Sequence, residues 1–435
     1  MPTPSNTLLI EGVFEELAEE LAQYIDDIQK KQNPDASSVK SEIGPLLEQG
    51  KKDDALKKLV TGSAVLNSAP EKEFIAAYNL LVHLVVQSPN LLIFLPKIIP
   101  NLCNPISSSP ANGPGLSLSI LTTIFNILPD DSEARYHVFL AILRVVRSAG
   151  LFEILRPQLK NLDTWIRLWD TDDDDQRSLF LQISDAAASV GDDDESYTYL
   201  LRALRTIPAA EASSPQAHDL AIRACKAALS HPTHFVFQDL TDCDAVQSLR
   251  HSDDPAWYEL LELFNSEGLE DYTEWLDSHP DFLSHQKLDP AVLMRKMRLL
   301  TLASLAAVET QHERSLPYAR IARALSISAE DVEMWVIDVI RAGLVEGKLS
   351  QLNQTFLIHR STYRVFGEKQ WIEVQGRLDT WRASLEGVLA VIKQERLKML
   401  SENERDLKEM EGKMNGGMAQ GRRGTAAQGR IEFDD

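Results

Sequence analysis

Cysteine is scarce in this chain of 435 residues: Cys103, Cys225 and Cys243 are the only ones. An odd number at wide spacing gives no disulfide framework and suits a reducing compartment. Long apolar runs are missing as well. The longest, around Leu80–Val86 and Leu91–Ile99, are far too short to span a bilayer. Met1-Pro-Thr-Pro-Ser has neither the basic nor the apolar region of a signal peptide, so the expected location is cytoplasmic and no membrane partner is expected. Positive charge is in short supply, with 44 Lys and Arg against 65 Asp and Glu, a net charge of −21. That balance argues against a nucleic-acid or acidic-membrane binder as a whole.

Catalytic patterns are equally thin. Gly113-Pro-Gly115 has no strand before it and cannot be a phosphate loop. The acidic run Asp172–Asp175 fails as a calcium loop, because Asp175 stands where Gly is required and Leu181 where Glu should be. Cys225, His231, His234 and Cys243 match no common zinc finger; a helix end followed by His-Pro explains the first two. The expectation is no enzyme, no metal and no cofactor.

What is present is helix. The chain is 44% hydrophobic, enough for an ample core. Residues 11–30 place Phe14, Leu17, Leu21, Ile25 and Ile28 on one face, a helix expected to pack on the repeats that follow, with a free partner-binding helix as the alternative. From about Ser41 to Ser230 the pattern is helix after helix, with starts near 133, 158, 175, 194 and 215. A step of about twenty residues suits stacked α-hairpins in a right-handed solenoid. Asn104–Gly115 and Pro208–Pro215, rich in Pro, Ser, Gly or Ala, read as exposed loops.

At Ser315–Phe366 the period changes. A short helix, Tyr318 to Leu325, leads through Ser326-Ile327-Ser328 into a second helix with Val332, Trp335, Val336 and Val339 on one stripe. Ser328 and Asp331 are spaced as a capping box, and Gly343 stands where a left-handed stop belongs. Alternation then takes over, from Leu344 to Leu352 and from Thr355 to His359. Helix, turn, helix and two-stranded wing make a winged helix. Its second helix holds Glu330, Asp331, Glu333 and Asp338 against Arg341 alone, so no specific DNA binding is expected.

A helical array feeding a winged helix resembles the PCI domain family, the shared module of the proteasome lid, the signalosome and eukaryotic translation initiation factor three. GLVEGKLSQLNQTFLIHR resembles the family's passage from recognition helix to wing, and PTHFVFQDL and WYELLELFNSEGLEDYTEW resemble its upstream helices. NTLLIEGVFEELAEELAQYID and RSTYRVFGEKQWIEVQGRLDTWRASLEGVL resemble the initiation-factor branch in particular. The resemblance implies a mainly α fold: a right-handed helical-repeat solenoid, a winged-helix subdomain and a C-terminal helix. It implies a non-catalytic scaffold subunit supporting initiation of protein synthesis. Its partners would be other PCI and MPN subunits of translation initiation factor three, with the small ribosomal subunit reached through the complex. The alternatives are a PCI subunit of the signalosome or proteasome lid, and, in another class, a winged-helix nucleic-acid binder.

Two partner surfaces are expected. In PCI assemblies winged helices associate side by side, and an exposed strand edge is a template for that. The candidates are Lys348, Leu349, Gln351 and Leu352, with Thr355 and Leu357. Beyond the wing, Trp371, Val374, Leu378, Trp381, Leu385, Val388 and Ile392 step 3, 4, 3, 4, 3, 4, a strict heptad seam. Trp381, Leu385, Val388 and Ile392 lie furthest from the wing and are the candidate contacts with a partner chain. The expected division is an N-terminal helix and loop (1–40), an array (41–205), a PCI domain (206–375; helical 206–314, winged helix 315–366), a heptad helix (376–400) and a disordered tail (401–435), the last containing Arg422, Arg423 and Arg430.

Overall fold

The structure, a computed structural model, describes residues 12–32, 38–106, 110–310, 314–365 and 367–420. Two compact units divide the chain, residues 1–364 and 365–435. The first unit begins with helices α1 (Phe14–Gln32), α2 (Val39–Glu48), α3 (Lys52–Gly62), α4 (Glu71–Val86) and α5 (Leu91–Cys103). The face of α1 read from the sequence is buried, from Phe14 through Ile28, and it packs on α2, α3 and α4. Asp26 is buried on this helix, and its carboxylate accepts from the backbone N–H groups of Val39 and Lys40, which ties α1 to the start of α2.

The array continues with α6 (Gly113–Ile127), α7 (Ala134–Ala149), α8 (Phe152–Leu159), α9 (Leu162–Trp169), α10 (Asp173–Val190), α11 (Asp193–Arg205) and α12 (Pro215–Ser230). Two expectations change here. Gly113-Pro-Gly115 is not loop but the first turn of α6, because Pro114 fits the first helical positions at no hydrogen-bond cost. Residues 107–109 of that stretch lie outside the described residues. The helix expected from about 158 is α9 and begins at Leu162; a separate short helix, α8, precedes it and contains Leu159, with Pro157 near its end. The run Asp172–Asp175 starts α10: Asp172 accepts from the N–H of Asp175 at 2.7 Å, and its acidic neighbours meet the positive end of the helix dipole. No break in the core marks residue 206, since Leu204 and Leu220 belong to one cluster that runs from Phe14 to Leu300.

Short helices α13 (Gln238–Thr241) and α14 (Asp244–Ser248) precede α15 (Pro255–Ser266), α16 (Leu269–Ser278), α17 (Phe282–His285) and the long α18 (Pro290–Thr310). Helix α18 is apolar around most of its circumference, as a helix buried on several sides must be. Leu293, Met297 and Leu300 join the array core; Leu299, Leu302, Ala303 and Ala306 join a second core beneath the winged helix. Lys296, 2% exposed, sits on this helix and donates from Nζ to the carbonyls of Ala228 (2.8 Å) and Leu229 (3.0 Å), the open end of α12. Its ammonium also lies 5.4 Å from the Phe237 ring centre. Burial pushes its pKa down to about 7 from an ordinary value of 10.5.

The second unit is described by one helix, α21 (Glu368–Gln420). It continues past Leu400, where the expected helix stops. Glu, Lys, Met, Arg and Leu, all good helix formers, make up ten of the fourteen residues from Ser401 to Met414, and the Lys398–Glu395 pair supports the turn just before them. The expected disordered tail is therefore helical as far as Gln420. Arg422, Arg423 and Arg430 lie outside the described residues.

Lys296 predicts a pH dependence. Between about pH 7 and 10.5 the unfolded chain holds a proton at this residue that the folded chain has released, so its contribution to stability rises with pH across that window. Urea midpoints measured at pH 6.5 and 9 should show this rise, and Lys296→Met should remove it. An unchanged slope in the variant would show that other groups set it.

Candidate docking surfaces

The winged helix is built on α18. Strand β1 (Ser315–Pro317) leads into α19 (Tyr318–Leu325), then α20 (Val332–Arg341), β2 (Val345–Ser350) and β3 (Thr355–Ser361). Leu316, Ile321, Leu325, Val332, Val336, Val339, Phe356 and Ile358 fill its core. Ser326 (φ 50°) closes α19, and Gly343 (φ 72°) follows α20 in the left-handed conformation its position called for. The capping box forms differently from the pattern: the Ser328 hydroxyl donates to the Asp331 carboxylate at 2.8 Å and makes no bond to a backbone N–H.

The acidic side chains of α20 are largely used within the domain. Glu333 accepts from the Gln351 amide at 2.9 Å, and Asp338 pairs with Arg295 at 2.9 Å. Trp335 is half-buried, with the Arg298 guanidinium 5.3 Å from its ring centre. The outward face of α20 is instead Met334, Ile337 and Arg341. One exposed cation beside two apolar side chains does not make the row of phosphate contacts that duplex DNA takes.

The three strands form one antiparallel sheet in the order β1-β3-β2. This corrects part of the expected edge. Thr355 and Leu357 lie on the central strand, where Thr355 pairs with both Pro317 and Ser350 and Leu357 with both Ser315 and Lys348. The short strand β1, invisible as a strand in the sequence, has occupied that side. Gln351 and Leu352 sit in the turn between β2 and β3, with Leu352 94% exposed. Lys348 and Leu349 do lie on edge strand β2. The Ile358 N–H donates toward Arg314 at 2.8 Å, so neighbouring Leu357 turns its backbone groups to β2 and binds Lys348. By the two-residue alternation of an antiparallel ladder, Leu349 then presents its N–H and C=O outward.

The wing is joined to the helical part by Arg364, which nothing in the sequence sets apart from other arginines. Its guanidinium donates to the carbonyls of Glu267 (2.6 Å), Leu263 (3.0 Å) and Phe264 (2.6 Å), the open end of α15, and lies 3.3 Å from the Ser304 hydroxyl on α18. Burial pushes its pKa down to about 10, which leaves it charged at neutral pH.

In the second unit the heptad seam is present on α21. Trp381, Leu385, Val388 and Ile392 are each between 53% and 67% exposed. The Cys and His cluster weighed for zinc is distributed in packing: Cys225 is buried in α12, His231 Nε2 lies 3.3 Å from Asp194, and the His234 ring sits 4.4 Å from that of Tyr197. Burial lifts the Cys225 thiol to about 12 and lowers His234 to about 4, so both are neutral.

A solenoid continuing through a shared helix into a winged helix defines a PCI-domain protein, and the PCI domain family model matches residues 271–360. A second model, described as the C-terminal helix of eIF3 subunit M, matches residues 364–392 and so ends at the last seam residue. Three similar proteins carry the name eukaryotic translation initiation factor 3 subunit M. That of Phaeosphaeria nodorum is 59% identical over 100% of this chain and 99% of its own length. That of Aspergillus terreus is 53% identical over 93% of this chain and 90% of its own. That of Coccidioides immitis is 52% identical over 92% and 91%. The chain belongs to the eukaryotic translation initiation factor 3 subunit M family.

Gly347 gives a test of the wing. It stands beside an irregularity in the β2–β3 register, and a Cβ there would lie 2.4 Å from the Leu357 carbonyl oxygen and 2.5 Å from the buried Phe356 ring. Neither backbone nor packed ring can give way cheaply, so Gly347→Ala should cost roughly 1–3 kcal/mol in urea unfolding. Gly44→Ala, mid-helix with open space around it, should be neutral or stabilising by roughly 0.5–1 kcal/mol.

Proposed function

We propose that this chain is a non-catalytic scaffold of translation initiation factor 3, binding other PCI and MPN subunits and reaching the small ribosomal subunit through the complex. Two surfaces carry the role: the outward edge of β2 at Lys348 and Leu349, and the seam Trp381, Leu385, Val388 and Ile392. The observation that supports it best is the coincidence of that exposed seam with the matched family segment, 364–392. Such a role places the protein in the cytoplasm. Among the described residues, no helix is long and apolar enough to cross a membrane.

The seam has the energy to hold a partner helix. Burying each Trp or Leu contributes roughly 1.5–3 kcal/mol before ordering costs. Leu385→Asp with Ile392→Asp should leave the melting of the isolated protein within about 2 °C of the parent. The same double change should weaken its retention by the purified factor roughly 100-fold or more. Unfolding of the isolated variant would instead mean that the seam packs within its own chain.

The edge is tested by a pair of variants. Leu349→Pro removes the outward N–H, whereas Leu349→Ala keeps it and loses the same side-chain packing. If β2 pairs with a neighbouring subunit, only the proline variant loses that subunit in a pull-down. Equal retention of both would show that contact is made elsewhere on the wing.

A further inference from the structure

A cleft of about 470 Å³ lies on the array between α5 and α7, and no residue of the winged helix lines it. Its α5 wall is Leu92, Leu95, Pro96, Ile99 and Pro100; along α7 it follows Glu133, His137, Leu140, Ala141 and Arg144. Each wall repeats every three to four residues and so presents a single helix face. At 1.5 Å per residue, the eleven steps from Glu133 to Arg144 extend over roughly 16 Å, about three helical turns. An apolar trough of that length between two neighbouring helices has the dimensions of a seat for a third.

Three further features describe its occupant. Leu92 and Ile93 are 60% and 61% exposed, adjacent large aliphatic side chains left in water at the rim. Pro96 and Pro100 carry no N–H, so the carbonyls of Leu92 and Pro96 lack their usual donor four residues on and favour a donor from outside. Glu133 and Arg144 stand exposed at opposite ends of the α7 wall, and neither has an ion-pair partner among the described residues. A negative charge at one end and a positive charge at the other complement a helix dipole in one direction only.

We infer that this cleft docks an amphipathic helix from a different protein chain. The helix lies along α7 in the same direction, with its N-terminus at Glu133 and its C-terminus at Arg144. Its apolar residues, at steps of three and four over three turns, fill the space between Leu95, Ile99 and Leu140. A Lys or Arg flanking that stripe donates to the carbonyls of Leu92 and Pro96.

Photo-cross-linking in the assembled complex tests this. A benzophenone amino acid replaces Ile93, Ala134 or Arg144 in the full chain, and Lys160 as an exposed control. The complex is purified, irradiated, and the joined peptides are sequenced by mass spectrometry. The expected result is one segment of another chain carrying the three-and-four apolar spacing, reached near its N-terminal end from position 134 and near its C-terminal end from position 144. Leu92→Asp should lower the yield from position 93 at least tenfold with the melting temperature unchanged. Yields no greater than at position 160, products joined only to a second copy of this chain, or labelled nucleic acid would each overturn the inference. So would a segment reached in the reverse order.

Discussion

Helix α18 is the element on which the first unit depends, because one helix supplies side chains to two cores. Leu293, Met297 and Leu300 close the array, while Leu299, Leu302, Ala303 and Ala306 form the floor of the winged helix. A helix with only one apolar stripe could not do this; it would have to leave one of the two domains with an open side. The winged helix is therefore not an appendage on a linker. Its core cannot form without the same helix that completes the solenoid.

Buried cations solve a recurrent difficulty of such a stack. Every helix ends in carbonyls with no donor in their own helix, and a solenoid buries many of those ends against the next element. Arg135 donates to Leu128 at the end of α6, Lys296 to Ala228 and Leu229 at the end of α12, and Arg364 to Leu263, Phe264 and Glu267 at the end of α15. In each case the negative end of a helix dipole offsets part of the cost of burying the charge. Arg364 does this at the last residue of the first unit, so the chain leaves the wing from an anchored position just before α21 begins.

The surfaces left over are apolar or hydrogen-bonding rather than basic. Glu333 and Asp338, which would repel phosphate, are held by Gln351 and Arg295, and the outward face of α20 is Met334, Ile337 and Arg341. Strand β2 keeps one open edge, and α21 keeps a continuous apolar stripe. The proposed scaffold role rests on these two features in a member of the initiation factor 3 subunit M family.

Periodicity was enough to read the helices of the array, the winged helix with its Gly343 stop, and the heptad seam, because these depend on residues three, four or seven apart on one element. It also supported the face of α1 that is buried. What sequence spacing could not decide was which strand of the wing lies at an edge. Thr355 and Leu357 alternate just as an edge strand would; a three-residue strand some forty positions earlier takes the place beside them and makes theirs the central strand. Nor do Lys296, Arg364 and the trough between α5 and α7 carry a local signal. Each is defined by groups roughly 30 to 100 residues apart, and a cation is recognisable as a helix cap only once the fold has brought that helix end to it.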